Sequence, residues 1–394
     1  MLTESQIATV KSTIPLLEDV GHSLTQHFYQ RMFKHNPELK HIFNMSNQHS
    51  GAQSLALFNA IAAYAKHIDN LPVLTQAVEK IAQKHTSLFI QADHYAIVGH
   101  HLIETLRELA QDAFTPEIED AWTAAYGQLA DVFIQREGAL YQARAEAEGG
   151  WKGARKFRLI EKRIESELVK SLIFEPIDQQ AVIGFLPGQY LGIKVQPKNS
   201  EYEQIRQYSL SDTANGETYR ISVKREAMGV PGIVSNYLHD GLRLNDEVEL
   251  FAPAGDFFFV DRNRPVVTLS AGVGLTPMIS ILESLAQKGY PQPVMHLHAC
   301  ENHQQHSFKK RVLQLTQALN LTHHTWYNND HSEDPLIHHG LMDLSSIENL
   351  PLENGDFYLC GPIGFMKFAK QQLETFGVST DRIHYEVFGP HQDM

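Results

Sequence analysis

The sequence predicts three domains in series: an all-α domain, an antiparallel β-barrel, and an α/β domain built on a parallel sheet. Two changes of hydrophobic period carry that reading. Apolar residues recur at helical spacing up to about residue 147 and alternate at strand spacing from about 151; from about 264 strand-like and helix-like runs take turns. Length agrees, because 394 residues exceed what one ordinary core organises. The expected boundaries are 1–147, 148–263 and 264–394, with Gly149-Gly150-Trp151-Lys152-Gly153 at the first junction.

In the helical part, Thr3-Glu4-Ser5-Gln6 reads as a capping box, the threonine accepting from the third helical amide and the glutamine reaching back. Val10, Ile14, Leu17, Val20, Leu24 and Phe28 then repeat at helical spacing. Asn36-Pro37-Glu38 predicts a second start, with Asn as cap, Pro in the first turn and Glu at the positive dipole end. A third run covers about 52–68 and stops at Leu71-Pro72, the proline opening the next helix. On that helix Ala77, Ile81, His85 and Leu88 share one face, which places an imidazole among apolar neighbours. Asp93 is the expected cap of the following helix, with Tyr95, Val98, Leu102, Leu106 and Leu109 on one stripe. Thr115-Pro116-Glu117 opens the last helix, which carries Trp122, Leu129, Phe133 and Glu137.

Strand-like runs follow at Arg155–Ile160, Leu168–Phe174, Tyr190–Val195, Ile205–Leu210, Tyr219–Lys224 and Glu247–Phe251. Pro187-Gly188, Asn215-Gly216 and Pro231-Gly232 break them, a pattern that suits a small antiparallel barrel. The final third alternates: Val266–Ser270, a helix from Pro277, Val294–Ala299, Phe357–Cys360, and a helix from about 363.

Composition narrows the function. With 43% hydrophobic and 20% charged residues the chain is ordinary globular protein. A formal charge of -13 and a pI near 5.9 argue against a nucleic-acid or acidic-membrane partner. No apolar run approaches the roughly 18 residues of a membrane helix, and the start lacks the pattern of a secretory signal. Cys300 and Cys360 are too few for a disulfide framework and suit a reducing cytosol. The expectation is a soluble cytoplasmic protein.

Five stretches carry chemistry. His85, on a buried face, can hold a haem iron through one ring nitrogen, although a single histidine among 22 is also compatible with an ordinary core or surface position. Gly272-Val273-Gly274-Leu275-Thr276-Pro277 follows an apolar strand and opens a helix, where glycines and free amides suit a pyrophosphate. The same residues also suit a plain strand-to-helix turn, since proline replaces the last glycine of G-x-G-x-x-G. Arg206-Gln207-Tyr208-Ser209 offers a guanidinium for a phosphate, a phenol ring to lie along a flavin and a hydroxyl for a flavin nitrogen; an exposed edge strand is the alternative. Gly232-Ile233-Val234-Ser235 offers amides at a helix start, and Cys360-Gly361-Pro362 ends an apolar strand where doubly wound sheets bind ligands.

In this order the four stretches after His85 resemble the ferredoxin-reductase-like flavin and nicotinamide module. With the helical part added, nearly the whole chain resembles the flavohaemoglobins, the bacterial and fungal nitric oxide dioxygenases. The globin-like pattern is Tyr29, then Phe43, Gln53 and Leu57 one turn apart, and His85 about thirty residues on.

The resemblance implies a role for each. His85 would be the proximal iron ligand, with Tyr95 and Glu137 as an orienting relay; Tyr29 and Gln53 would face bound oxygen, with Phe43 and Leu57 keeping the pocket dry. Tyr190, Arg206, Gln207, Tyr208, Ser209, Gly232, Val234 and Ser235 would hold FAD, together with the tail Val387, Phe388, Gly389 and Pro390, Phe388 covering the flavin. Gly272, Val273, Gly274, Leu275, Thr276, Pro277, Cys360, Gly361 and Pro362 would bind the nicotinamide dinucleotide. Lys84 and Glu386 match family positions between haem and flavin, where opposite charges tune redox potentials. Val387 and Leu275 depart from the family, which often has cysteine and glutamine there.

The implied activity is NAD(P)H-driven, FAD-mediated reduction of haem b, which binds O2 and converts NO to nitrate. One haem and one FAD per chain are expected, with O2, NO and NADH or NADPH as partners and no obligate protein partner, the chain acting as a monomer. Glu301, near the end of the second strand of the last domain, favours NADH. Two other readings compete: a haem-independent NADH:acceptor reductase, and a gas-binding or sensing globin. A metal site is a further candidate, because His296, His298 and Cys300 alternate along one strand with His303 and His306 just beyond.

Overall fold

The first capping box forms in the computed structural model, which describes residues 2–43, 52–198, 200–227 and 231–389, the side chains of 17–20, 22 and 52–56 excepted. Thr3 Oγ1 accepts from Gln6 N at 3.2 Å and Gln6 Oε1 from Thr3 N at 3.0 Å, opening α1 (Glu4–Ser12). The run expected from Val10 to Phe28 is not one helix. It breaks at Thr13, and α2 (Ile14–His35) is kinked at Gly21 (φ 40°, ψ −122°). Pro15 lacks the amide needed to continue α1, and glycine accepts the positive φ at the kink without a Cβ clash. Leu17 and Val20 have their side chains outside the described residues.

Three further starts differ from expectation. Asn36 does not cap a helix: its Nδ2 donates to Glu38 Oε1 (2.7 Å), its Oδ1 lies 2.8 Å from His101 Nε2, and only a 3-10 turn, Pro37–His41, follows. After α3 (Ala52–Lys66), Pro72 opens the short 3-10 turn Leu71–Leu74 rather than the helix itself, and α4 (Thr75–Ser87) carries His85. Gln91, not Asp93, caps α5 (Ala92–Ala110), in a reciprocal box with His94; Asp93 stands in the first turn. For Asn36, competing side-chain partners, which spacing does not reveal, decide the outcome. Thr115 caps α6 (Pro116–Glu146) as expected.

The α-helical core gathers Leu24, Phe28, Met32, Tyr64, Leu102 and Trp122, all buried. Its polar tips are satisfied: Trp122 Nε1 donates to Thr13 Oγ1 (3.0 Å) and Tyr64 OH to the Ala125 carbonyl (2.7 Å).

The period-2 region gives β1 (Arg155–Ile164), β2 (Val169–Pro176), β3 (Tyr190–Val195), β4 (Gln204–Ser209), β5 (Tyr219–Lys224) and β6 (Glu247–Leu250) in one six-stranded sheet, order β4-β3-β6-β1-β2-β5. A bridge between Leu210 and Ile221 joins its two ends, so the sheet curls closed. A short helix, α7 (Ile233–Asn236), runs into a π-turn at Tyr237–Gly241.

The final region is a second sheet of β7 (Val266–Ala271), β8 (Val294–Cys300), β9 (Leu321–Tyr327), β10 (Ile337–His339), β11 (Asp356–Cys360) and β12 (Ile383–Glu386), with α8 (Leu275–Lys288), α9 (Lys309–Leu315) and α10 (Ile363–Thr375). Its recorded strand pairs are parallel, in the order β10-β9-β8-β7-β11-β12. β9, β10, β12 and α9 are absent from the sequence expectation. Leu321–Tyr327 holds two histidines and two threonines among its seven residues, which hides its strand character, and β10 has three residues.

The chain packs as two compact units. One comprises Met1–Ala147 with Lys194–Arg206, the other Glu148–Ile193 with Gln207–Met394. Within the second, Phe257 and Phe259 join Met278, Ile279 and Leu282 of α8 in one core. Ser280 Oγ donates to the Asp212 carbonyl at 2.7 Å, tying the curled sheet to the parallel one.

Candidate functional site

Three helices converge on His85. Its Nδ1 lies 2.8 Å from Glu137 Oε1 and 3.0 Å from the Tyr95 hydroxyl, and Tyr95 OH donates to the same carboxylate oxygen at 2.5 Å. Glu137 is buried at 2% exposure and Tyr95 at 9%. Burial, then the Glu137 charge, drives the Tyr95 phenol well above its ordinary pKa, so it keeps its proton and acts as donor. A carboxylate only accepts, so Nδ1 must carry the imidazole proton, and the lone pair is left on Nε2. That is the tautomer an iron ligand needs, with a carboxylate raising its basicity. The donor chemistry therefore fits a haem iron at His85.

Neighbours hold this triad in place. Phe133 stacks on Tyr95 (ring centroids 6.1 Å apart, 17°) and lies 5.8 Å from the His85 ring. Tyr126 OH donates to the Tyr95 carbonyl at 2.6 Å. From α6, Arg136 grips Glu79 (2.5 and 2.9 Å) and Arg144 reaches Gln83 and Thr86 (2.5 and 2.6 Å), so two guanidinium groups clamp α4 on either side of Glu137. Sequence reasoning missed both arginines. Arg144 follows Glu137 by seven residues on the same helical face, which is the signal that was present; Arg136, the direct neighbour of Glu137, has none.

On α2, Tyr29 is 7% exposed, with Phe28, Phe33 and Phe43 at centroid distances of 5.1, 5.8 and 6.0 Å. Leu57 packs against the same core. An aromatic wall of this kind keeps water away from a phenol that would face a small apolar ligand. Gln53 stands in the backbone of α3, but its side chain lies outside the described residues. Lys84 is in the last turn of α4, half-buried, and Glu386 ends β12 at 9% exposure, paired in register with Cys360.

The flavin candidates lie on β3, on β4, at the start of α7 and in the tail after β12. Tyr190 opens β3 and exchanges backbone hydrogen bonds with Ala254 (3.0 and 2.8 Å). Arg206 Nη1 donates to the Ile205 carbonyl (2.8 Å) and Nη2 to Gln204 Oε1 (3.0 Å), which fixes the guanidinium. Gln207 and Tyr208 are half-buried and Ser209 is buried. Gly232 caps α7, and a Cβ there would meet Ser235 Oγ at 2.4 Å. Val234 packs inward and Ser235 Oγ donates to the Gly232 carbonyl (3.5 Å). In the tail Val387 is buried, Phe388 is 46% exposed and Gly389 has φ 142°, while Pro390 lies outside the described residues.

Sheet order locates the nucleotide candidates. The chain leaves β7 toward β8, β9 and β10, then returns on the other side to β11 and β12, so the order reverses between β7 and β11. Ligands of open α/β sheets bind beyond the strand carboxyl ends at that point. Gly272, Val273 and Gly274 form a 3-10 turn there, with Gly272 at φ 53°. Helix α8 begins at Leu275, two residues before the predicted Pro277. Thr276 Oγ1 donates to the Val273 carbonyl (3.0 Å) rather than capping an amide. Cys360, Gly361 and Pro362 leave β11 beside them. A Cβ on Gly274 would lie 2.2 Å from the Cys360 carbonyl oxygen, so only glycine fits. Glu301, past the end of β8, accepts from Asn328 Nδ2 (3.2 Å) and Asn329 Nδ2 (2.5 Å).

The histidine run has another role. His296 Nδ1 is 2.8 Å from Thr268 Oγ1 and His298 Nδ1 is 2.9 Å from Ser270 Oγ, both histidines being fully enclosed under the helices. Burial pushes His298 down to about 4 and His306 to about 2, so both stay neutral. Among the described residues no group of three or more His, Cys, Asp or Glu side chains is placed to hold a metal ion. No described helix is long and apolar enough to cross a membrane.

Comparison with known proteins follows the same division. Residues 26–133 match the Globin family model, 156–259 the Oxidoreductase FAD-binding domain and 268–371 the Oxidoreductase NAD-binding domain. The chain is 57% identical over 396 residues to a Flavohemoprotein of Vibrio cholerae, covering 100% of both. Among solved structures it is similar to a flavohemoglobin of Malassezia yamatoensis with bound FAD and heme (TM-score 0.88, 27% identity, 98% of this chain and 100% of that one). It is also similar to the FAD/NAD binding domain of nitric oxide dioxygenase from Vibrio cholerae (TM-score 0.58, 48% identity, 61% of this chain and 100% of that one).

Proposed function

Given that this chain belongs to the flavohaemoprotein family, we propose that it is a cytoplasmic nitric oxide dioxygenase that detoxifies NO with O2 and NAD(P)H. The supporting observation is the Glu137–His85–Tyr95 triad in a chain that also carries FAD- and NAD-binding domains. Functionally the chain divides at 1–147, 148–263 and 264–394. When bound, FAD would supply hydride acceptance from NAD(P)H with one-electron release, and haem would supply the chemistry of O2 with NO. The sum balances as two NO, two O2 and one NAD(P)H giving two nitrate, NAD(P)+ and a proton.

The chain's own residues bind, orient and exclude water. Glu137 and Tyr95 hold the His85 ring and its Nδ1 proton, which strengthens the donor at Nε2. Tyr29 supplies a hydroxyl inside its aromatic wall, with Gln53 on the neighbouring helix. Arg206 would neutralise a flavin phosphate, Tyr208 and Ser209 would orient the ring system, and Phe388 would cover the flavin. Gly272, Gly274 and Gly361 let the dinucleotide backbone come close. The carboxylate of Glu301, held by two asparagines, disfavours a 2′-phosphate and selects NADH. A sensor or storage globin has no use for these last two sets, which disfavours that reading.

The test is a visible spectrum of the purified protein before and after anaerobic NADH, followed by carbon monoxide. Flavin bleaching, then a ferrous–CO Soret band, and NADH-dependent loss of NO in air with nitrate as product are expected; NADPH should be used less well. A flavin-only spectrum from haem-supplied cells rejects the dioxygenase and leaves a reductase. Two variants refine the roles. Tyr29→Phe should release O2 faster by roughly tenfold, as expected for the loss of one hydrogen bond in a dry pocket, and an unchanged dissociation rate removes Tyr29 from the mechanism. Glu137→Gln should lower the Fe–His stretching frequency in the Raman spectrum and slow NO turnover by about ten- to a hundredfold; an unmoved band shows that the carboxylate does not tune the ligand.

A further inference from the structure

Tyr202 and Glu203 belong by sequence to the connection between β3 and β4, yet they pack inside the first compact unit, against the 3-10 turn Pro37–His41. Glu203 N–H donates to His41 Nδ1 at 3.0 Å. The Tyr202 ring meets the His41 ring edge-on, with centroids 5.3 Å apart and an 86° interplanar angle. Lys40 adds a cation: its Nζ is 3.4 Å from Tyr202 OH and 5.3 Å from the ring centroid. All these side chains are half-buried, so the contacts are partly shielded from water.

The loop is braced from within. Ser200 Oγ donates to the Tyr202 carbonyl (2.6 Å), and Gln204 Nε2 donates to Ser200 Oγ (3.1 Å) and the Tyr202 carbonyl (3.3 Å). Lys194 pairs with Glu203 at 3.4 Å. Gln204 Oε1 then accepts from Arg206 Nη2 (3.0 Å). Bonded groups thus run from the turn two residues before Phe43 to Arg206. Strand β4 continues without a break through Gln207 and Tyr208 to Ser209.

We propose that Lys40, His41 and Tyr202 form a clasp that positions the flavin-bearing strand for electron transfer to the haem. The inference rests on the function proposed above. The three are positioning residues, acting through the strand they hold rather than on a reacting atom. Electron delivery depends on a fixed separation and orientation of donor and acceptor, and domains joined by modest interfaces move unless something fixes them. Hydride transfer from NADH to FAD involves no part of the clasp, so the two half-reactions should separate.

The experiment uses the full-length holoprotein in anaerobic stopped flow with NADH and carbon monoxide. Flavin bleaching reports the hydride step, and growth of the ferrous–CO Soret band reports haem reduction. In His41→Ala/Tyr202→Ala, flavin bleaching should keep the wild-type rate while haem reduction slows by about tenfold or more. Tyr202→Phe keeps the ring and should restore most of the rate. Lys40→Met is the milder second variant, expected to slow haem reduction partially with both cofactors retained. Wild-type haem reduction in the double variant and in Lys40→Met overturns the clasp. If wild-type protein itself bleaches its flavin and leaves the haem oxidised, the proposed function fails instead, and the clasp with it.

Discussion

His85→Ala is expected to abolish haem binding: purified protein should lack a Soret band while still reducing ferricyanide with NADH through FAD. The argument begins at Nδ1. That nitrogen is engaged by Glu137 at 2.8 Å and Tyr95 at 3.0 Å, so the imidazole enters as an Nδ1–H tautomer with one lone pair, at Nε2. Alanine removes the donor and leaves Glu137, buried at 2% exposure, with the Tyr95 hydroxyl as its remaining partner in the triad. Losing a hydrogen bond to a buried carboxylate costs about 1–3 kcal/mol, a local loss beside the helical core. Dye reduction draws on Gly272–Gly274, Arg206 and the other residues proposed to hold FAD, none of which is a member of the His85–Tyr95–Glu137 triad. The two readouts should therefore separate cleanly. A normal Soret band in the variant removes His85 from the centre of the mechanism, and loss of dye reduction points to a general folding defect instead.

The same triad marks where the sequence was legible and where it was not. His85, Tyr95 and Glu137 sit on three helices, and helical periodicity places each on an inward face without bringing any two together; their meeting came from the family resemblance. Periodicity found α2 but not its kink, because Pro15 and Gly21 act on the backbone while the apolar pattern runs through both. Local caps failed where side chains had other partners, as Asn36 does in Glu38 and His101. The glycine motifs at β7 and β11 were readable because a strand followed by glycine and a helix constrains the backbone directly. Strand β9 was not, since His323 and His324 sit where an apolar alternation would be sought. Contacts such as Glu203 with His41 span 162 positions and have no local signature at all.

Gly274→Ala should have the largest effect on the hydride step. The new Cβ would be built 2.2 Å from the Cys360 carbonyl oxygen, 2.4 Å from its carbon and 2.7 Å from Gly361 Cα. All three are backbone atoms at the ends of paired strands, with β7 and β11 held in parallel register from Asp356–Val266 to Cys360–Ser270. No rotamer change relieves such a clash, so the turn or the Cys360–Gly361 peptide must move. Both form the rim where the sheet order reverses, the place where the function proposed above puts the nicotinamide. A displacement of about 1 Å in a reacting pair costs about a hundredfold in rate. NADH-driven flavin bleaching should fall by that factor in stopped flow, while bound FAD, the Soret band and haem reduction by dithionite stay as in the wild type. Substitution at Gly127 is the control: a Cβ there meets nothing within 4 Å. It sits in the interior of α6, so Gly127→Ala should leave flavin reduction unchanged. Equal rates for Gly274→Ala and wild type place the nicotinamide somewhere other than the rim beyond the carboxyl ends of β7 and β11.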